Sequence, residues 1–265
     1  VANVITHARY GQMIYDPDDF WLGRSFRLYG EFSECETDVF KSAIKPGDVV
    51  VDAGANIGAH TLLFAKLAES VLAFEPQRLI FQTLCGNLAI NNVTNVYAFQ
   101  VGLSNGAGNM FLTVPQDNCG GGALVDHGTE GEPVDVRALD DYRLTRVDFI
   151  KADVEGHEAK LLAGAADTIK RCRPLLYLEN DRGDKQALID QVKALDYDLW
   201  WHKPPLFNPD NYAGNPINVF VFPTKEPNNY GIIVSDNMLC APKERNFQAE
   251  IDTWSDAEHY ESIKG

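Results

Sequence analysis

Four carboxylates, Asp52, Glu75, Asp153 and Glu179, each stand at the C-terminal end of a short apolar run that reads as a β-strand. Packing gives a buried strand little reason to end in a charge, and open α/β sheets bind ligands in the crevice outside their strand ends. One sheet edge is therefore predicted to carry a site. Residues 150–158, IKADVEGHE, crowd Asp153, Glu155, His157 and Glu158 around a strand-to-helix turn. Such a group can take a proton from a weak acid such as an alcohol, or hold a metal that acidifies a bound hydroxyl. His157 has the intrinsic pKa of a general base. Asp153 and Glu155 are the alternatives, as bases or as acceptors of hydroxyl hydrogen bonds. Glu158 reads as a helix-start acid favoured by the helix dipole.

A second constellation lies at residues 49–58, VVVDAGANIG. Three β-branched residues run into Asp52 and a glycine turn containing Asn56, and Ile57, Leu62, Leu63 and Ala65 continue with an apolar helix pattern. Gly54 and Gly58 admit backbone angles closed to residues with a Cβ, and the helix start offers unpaired N–H groups. A Walker phosphate cradle is excluded, because Ala59 and His60 follow where a lysine is required. A dinucleotide fingerprint needs a third glycine and would set a pyrophosphate against Asp52. A positively charged ligand suits that acid better, and S-adenosyl-L-methionine carries a sulfonium and an amino group with no phosphate. Glu75, roughly twenty residues past the turn, ends the next strand where it can accept hydrogen bonds from both ribose hydroxyls.

Residues 48–61 (DVVVDAGANIGAHT), 73–76 (AFEP), 139–142 (LDDY) and 147–158 (VDFIKADVEGHE) together resemble the FkbM-type S-adenosylmethionine-dependent methyltransferases. Residues 201–242, with HKPPLFNPDNYAGNP and VSDNMLCAP, are similar to a branch of that family. The resemblance implies an α/β, Rossmann-like class I methyltransferase fold with a mostly parallel seven-stranded sheet and helices on both faces. It also implies methyl transfer to a hydroxyl of a sugar, glycan or secondary metabolite. An adenine pocket is implied near Gln100 and Val101, with Gly102, Ser104 and Asn105 in reach. A contact to the methionine end is implied for Glu36, or for its neighbours Glu34 and Asp38. Asp153, Glu179 and Asn180 look like the acid, acid, amide ligand set of the catechol O-methyltransferases, an all-oxygen group suited to Mg²⁺ or Ca²⁺.

With 265 residues, 45% of them hydrophobic, the chain is long enough for one α/β domain with a large core. A net charge of −15 repels phosphate backbones and argues against a nucleic-acid substrate. No apolar run is long enough to span a bilayer, and residues 1–30 lack a basic start with an apolar core, so a cytoplasmic protein is expected. Five scattered cysteines with no C-x-x-C pair argue against a disulfide framework or a zinc site. Cys119 differs from the rest in lying in a glycine-rich loop.

Around these groups the chain is expected to form a single domain of three parts. Residues 1–45 form a lead-in whose aromatics (Tyr10, Tyr15, Phe20, Trp21, Phe26, Tyr29) cap one face of the cofactor site, with a helix at 34–44 stopped by Pro46 and Gly47. Residues 46–222 form the catalytic core. Strand and helix alternate there at 48–53, 57–68, 70–74, 77–91 and 95–101, and again at 147–152, 157–171, 174–179, 184–194 and 196–201, which argues a parallel sheet. Strands are also expected on both sides of the loop 115–123. Residues 223–265 read as an irregular extension or a short helix near 247–254. Acceptor recognition is assigned to Glu179, Asn180, the loop from Asn118 to Gly122, and a lid at 202–218 containing His202, Asn208 and Asn211. Amides beside Trp200, Trp201, Phe207 and Tyr212 suit a sugar ring, and a loop that long in a compact domain is usually functional or disordered. The resulting expectation is a hydroxyl-directed methyltransferase. The alternatives are N- or carboxyl-methylation, or a cofactor-binding scaffold without catalysis.

Overall fold

The computed structural model describes residues 2–114, 121–125, 131–224, 229–254 and 259–263. An antiparallel hairpin, β1 (Val4–Ala8) with β2 (Gly11–Tyr15), precedes helices α1 (Leu22–Tyr29) and α2 (Glu34–Ala43). The core then runs β3 (Val49–Ala53), α3 (Thr61–Leu67), β4 (Ser70–Phe74), α4 (Arg78–Ile90) and β5 (Val96–Phe99). Next come β6 (Gly102–Leu103), β7 (Gly108–Thr113), β8 (Ala123–Val125) and β9 (Glu132–Arg137), a separate sheet ordered β6-β9-β7-β8. The core resumes with β10 (Phe149–Ala152), α5 (Glu158–Gly164), α6 (Ala166–Cys172), β11 (Leu175–Glu179), α7 (Lys185–Lys193) and β12 (Tyr197–His202). A two-stranded ribbon, β13 (Val221–Pro223) with β14 (Tyr230–Ile232), leads to β15 (Asn237–Pro242), α8 (Phe247–Ile251) and β16 (Tyr260–Ser262).

The main sheet is ordered β16-β12-β15-β11-β10-β3-β4-β5. The architecture is the Rossmann-like α/β one that the resemblance implies, mostly parallel as expected, but with eight strands among the described residues in place of seven. Strands β3, β4, β5, β10 and β11 pair in parallel, while β15 runs antiparallel to both β11 and β12, and β16 runs antiparallel to β12. Both antiparallel strands come from the segment read as an irregular extension. The six residues of β15 are all buried, so its sequence shows no alternation, and short apolar runs give no usable period. The chain order reverses between β3 and β10, and a ligand crevice belongs outside the strand ends at such a point.

Both faces of the sheet are apolar, as a mostly parallel sheet requires. On one face Val51, Ile150, Leu176 and Leu178 pack with Leu161, Ile169 and Leu188 of α5, α6 and α7. On the other, Val50, Phe149 and Tyr177 meet Phe40 and Phe64 of α2 and α3. Phe40 sits edge-on to Phe64, Phe149 and Tyr177 with ring centroids 4.9, 5.9 and 5.0 Å away. Burying a ring of this kind contributes about 1.5–3 kcal/mol. That anchor fixes α2 on the sheet and carries Glu36, one turn earlier on the same helix face, to the crevice.

The helix expected at 157–171 breaks at Ala165 into α5 and α6. Asp140 explains the restart, since its carboxylate accepts the N–H groups of Asp167 and Thr168 at the first turn of α6. The lead-in grips the loop 202–218. Buried Glu31 accepts hydrogen bonds from Arg9 Nε (2.6 Å), Asn208 Nδ2 (2.9 Å) and the Tyr212 N–H (2.7 Å). Tyr29 donates to the Ile217 carbonyl, and Trp21 stacks on Phe220. Among the described residues no helix is long and apolar enough to cross a membrane.

Candidate active site

A cavity of about 450 Å³ opens at the C-terminal ends of β3, β4, β10 and β11. One end of its floor is the turn after β3. Glu75, just past β4, accepts the Asn56 N–H at 3.0 Å and the Gln77 N–H at 2.8 Å, so the turn and the carboxylate hold each other in place. Burial pushes Glu75 up to about 7 despite these two bonds, which favour the charged form. Glu36 lies on the same cavity wall, accepts the Ser33 hydroxyl at 2.8 Å and is also pushed up to about 7 by burial. Gly54 (φ 74) and Gly58 (φ 91) are in the left-handed region. Their small size serves packing: a Cβ on Gly54 would lie 1.8 Å from the Asp153 carbonyl oxygen, and one on Gly58 2.7 Å from Leu84 Cδ1. Asp52 lies behind the cavity wall, fully buried, accepting the Thr61 hydroxyl at 2.7 Å.

Lys151 joins the two halves of the floor. Its ammonium donates to the Gly54 carbonyl at 3.1 Å and stands 3.7 Å from Asp52 and 3.2 Å from Asp153. Burial disfavours its charge, but Asp153, Asp52 and Glu36 more than offset this and raise its pKa above the usual lysine value. Asp153 is deep in the fold, yet 41% of its side chain is accessible from the cavity. Burial pushes it up, while Lys151 and a hydrogen bond from Glu179 pull it further down, to a net value below the ordinary range. Glu179 takes the opposite course, pushed up to about 11 by burial and by Asp153. The two carboxyls are thus pushed in opposite directions, Asp153 toward its charged form and Glu179 toward its neutral form. Glu155 faces the cavity in a left-handed conformation (φ 58), is paired with Arg182, and is pushed up to about 7 by burial and Asp153.

The cavity therefore brings together Glu36, Gly54, Asn56, Glu75, Asp153, Glu155 and Glu179. Other predicted site residues fall elsewhere. His157 occupies the cap position of α5, with Nε2 hydrogen-bonded to Ser104 Oγ at 2.9 Å, off the cavity wall. Gln100 and Val101 also lie off that wall, and their neighbours Gly102 and Leu103 line it. Asn180 follows Glu179 in the chain and points the other way, its Nδ2 donating to the Lys185 carbonyl and to Met238 Sδ. The expected metal set of Asp153, Glu179 and Asn180 does not converge, and no group of three or more acidic, histidine or cysteine side chains among the described residues is placed to hold a metal. His202 is buried against the Tyr177 hydroxyl and stacked on Tyr260. Asn208 and Asn211 bind within their own loop and to Glu31. Asn118 lies outside the described residues.

Sequence reasoning passed over Lys151 and His60. The signal for Lys151 was a lysine inside an apolar strand, FIKA, all four residues of which are buried. His60 lines the cavity among Phe32, Phe40 and Phe64, and its Nε2 has no protein hydrogen-bond partner. Burial and the Lys151 charge push it down to about 3, so it is a neutral imidazole.

"Methyltransferase 1" of Beauveria bassiana (strain ARSEF 2860) is 33% identical over an alignment covering 44% of this chain and 58% of that protein. "Methyltransferase sdnD" of Sordaria araneosa is 31% identical, over 43% of this chain and 59% of that protein. The chain thus spans less than two thirds of the length of either relative. The crystal structure of methyltransferase FkbM from Methylobacillus flagellatus KT superposes with a TM-score of 0.46 at 22% identity, covering 73% of this chain and 43% of that one. The family model of the methyltransferase FkbM domain matches residues 52–199, more than half of the chain, and the chain belongs to that family.

Proposed function

We propose that this chain is an S-adenosyl-L-methionine-dependent O-methyltransferase acting on a hydroxyl of a small molecule. The observation that carries the reading is one cavity holding both the Glu75–Asn56 turn and the Asp153 carboxylate, set between Glu179 and the Lys151 ammonium. The residues fit the cofactor by their chemistry: Glu75 would accept ribose hydroxyls, Glu36 would face the methionine ammonium, and unpartnered His60 Nε2 offers a further hydrogen bond. When bound, the cofactor supplies a methyl group made electrophilic by its sulfonium. Asp153 receives the proton released as the acceptor oxygen forms its new bond to carbon, and Glu179 keeps that carboxylate oriented through the hydrogen bond it donates. Lys151 supplies the positive charge that a metal would have brought to Asp153. A carboxylate acceptor would be repelled by the cavity-facing Asp153 carboxylate, which favours a hydroxyl over carboxyl-methylation.

Calorimetry with S-adenosylmethionine at pH 6, 7 and 8 tests the reading. Glu36 and Glu75, both raised to about 7, must be ionised to accept the hydrogen bonds of the cofactor. Affinity is therefore expected to rise with pH across this range, by up to about tenfold per unit per carboxylate below pH 7. No binding at pH 8 would sink the proposal.

A further inference from the structure

Strand β11 ends and strand β15 begins at the same sheet edge, and their register sets Glu179 directly opposite Asn237. Directly opposed residues of an antiparallel pair point to one face, with Cβ atoms about 4.5–5.5 Å apart. Both side chains line the cavity. The pair is held in place from behind. The Asn180 N–H donates to the Asp236 carbonyl at 2.8 Å, and the Asp236 carboxylate is tied by Lys185 at 3.0 Å and Lys203 at 3.2 Å.

Each member of the pair keeps one buried polar atom without a hydrogen bond, Glu179 Oε2 and Asn237 Nδ2. Asn237 as a whole is only 4% accessible, so bulk water does not serve its amide. An amide nitrogen carries two hydrogens, and a contact with the bordering Tyr177 hydroxyl, itself bonded to His202 Nδ1 at 2.8 Å, leaves one for the cavity. Buried donors and acceptors are costly to leave unpaired, and here a donor and an acceptor face one gap. A hydroxyl matches both at once, accepting from the amide and donating to the carboxyl oxygen. A carbonyl or ether oxygen would satisfy Asn237 alone, and an ammonium Glu179 alone. The rest of this wall is mixed, with Ile233 and Val234 beside Ser235 and Asp236, so the opposed pair and not the composition carries the argument.

Resting on the O-methyltransferase reading, we infer that the acceptor is a diol: one hydroxyl is methylated at Asp153, and a second, within two carbons of it, is bound between Glu179 and Asn237. The short span follows from Glu179, which bonds Asp153 on one side and opposes Asn237 on the other. Glu179 is held toward its neutral form and does not take the second hydroxyl's proton, so the product is a monoether that keeps a free neighbouring hydroxyl. Asn237 is thereby a specificity-determining residue.

The test uses the whole chain saturated with S-adenosylhomocysteine and three probes, cis-1,2-cyclohexanediol, cis-1,3-cyclohexanediol and cyclohexanol, whose affinities are measured by saturation-transfer NMR. At least one diol is expected to bind about tenfold or more tightly than cyclohexanol, the gain from two added hydrogen bonds. Asn237→Leu and Asn237→Ala both remove the donor, and each is expected to cut that preference to about twofold or less, with S-adenosylhomocysteine affinity at the parent's level. Equal affinity of the parent for diols and cyclohexanol, the result when water alone fills the gap, would overturn the inference, as would absence of diol binding or a preference that survives in both variants. Loss of S-adenosylhomocysteine affinity in both variants would assign Asn237 to the fold and overturn it too. Absence of calorimetric heat with S-adenosylhomocysteine in the parent instead overturns the methyltransferase reading, so the two failures are distinct.

Discussion

Asp153→Asn is expected to lower turnover by about 10²–10⁴-fold, the range seen when a positioned general base is removed, while S-adenosylmethionine affinity stays near that of the parent. The amide has the shape of the carboxylate and none of its basicity. Glu179→Gln is expected to behave differently, losing less than about tenfold, because Glu179 is held toward its neutral form and an amide N–H can replace its donated hydrogen bond. The asymmetry follows from the opposite shifts within the pair, Asp153 toward its charged form and Glu179 toward its neutral form. It also sets the pH profile. Asp153 titrates below the ordinary carboxylate range, so kcat should be flat from about pH 5 upward. By contrast, kcat/KM for the cofactor should fall below pH 7, as Glu36 and Glu75 take up protons. Equal losses from Asp153→Asn and Glu179→Gln would reverse the assigned roles, and unchanged turnover in Asp153→Asn would remove Asp153 from the reaction.

The floor of this site was legible because strand ends and carboxylates are both local signals. Asn56, Glu75, Asp153 and Glu179 all follow short apolar runs closely, and the sheet delivers them to one edge. The walls were legible only in part: Trp21 falls in the lead-in expected to cap the site and Leu206 in the expected lid loop, whereas Ile233 joins them only by pairing with that distant loop. Residue type alone misleads at several positions. His157 has a general base's pKa, yet its place at the start of α5 turns the ring toward Ser104. The asparagines of the loop 202–218 have the chemistry of sugar ligands, but Asn and Pro in such density build turns, and Asn208, Asn211 and Asn215 each accept a backbone N–H two to four residues onward. Asn180 sits one residue past Glu179, and at a strand end one residue reverses the direction of the side chain. Strand β15 was hidden because a strand buried along its whole length has no alternation to read.

Lys151→Met is expected to cost about 3–5 kcal/mol of stability, the penalty for removing one partner of a buried ion pair and leaving the other uncompensated. Lys151 and Asp52 are 4% and 0% accessible, so water cannot replace the lost charge at that pair. Asp153 is open to the cavity and contributes less, because solvent there screens it. The pH dependence distinguishes this mechanism from simple loss of packing. In the parent, the raised pKa of Lys151 means its contribution is fully present below the ordinary lysine value of 10.5 and is lost only as pH rises through the higher folded value. In the variant, burial pushes Asp52 up with no cation to oppose it, so the folded state binds its proton more tightly than the unfolded chain. Stability of Lys151→Met should then fall more steeply as pH rises from 5 to 8 than that of the parent, in which burial also raises Asp52 but Lys151 opposes the rise. Urea unfolding of both proteins at pH 5, 6, 7 and 8 measures the difference directly. A cost below about 1 kcal/mol at pH 8, the level of an exposed pair, would mean that Lys151 does not hold the two carboxylates in their charged forms. The charge on Asp153 that the reaction needs would then require another source.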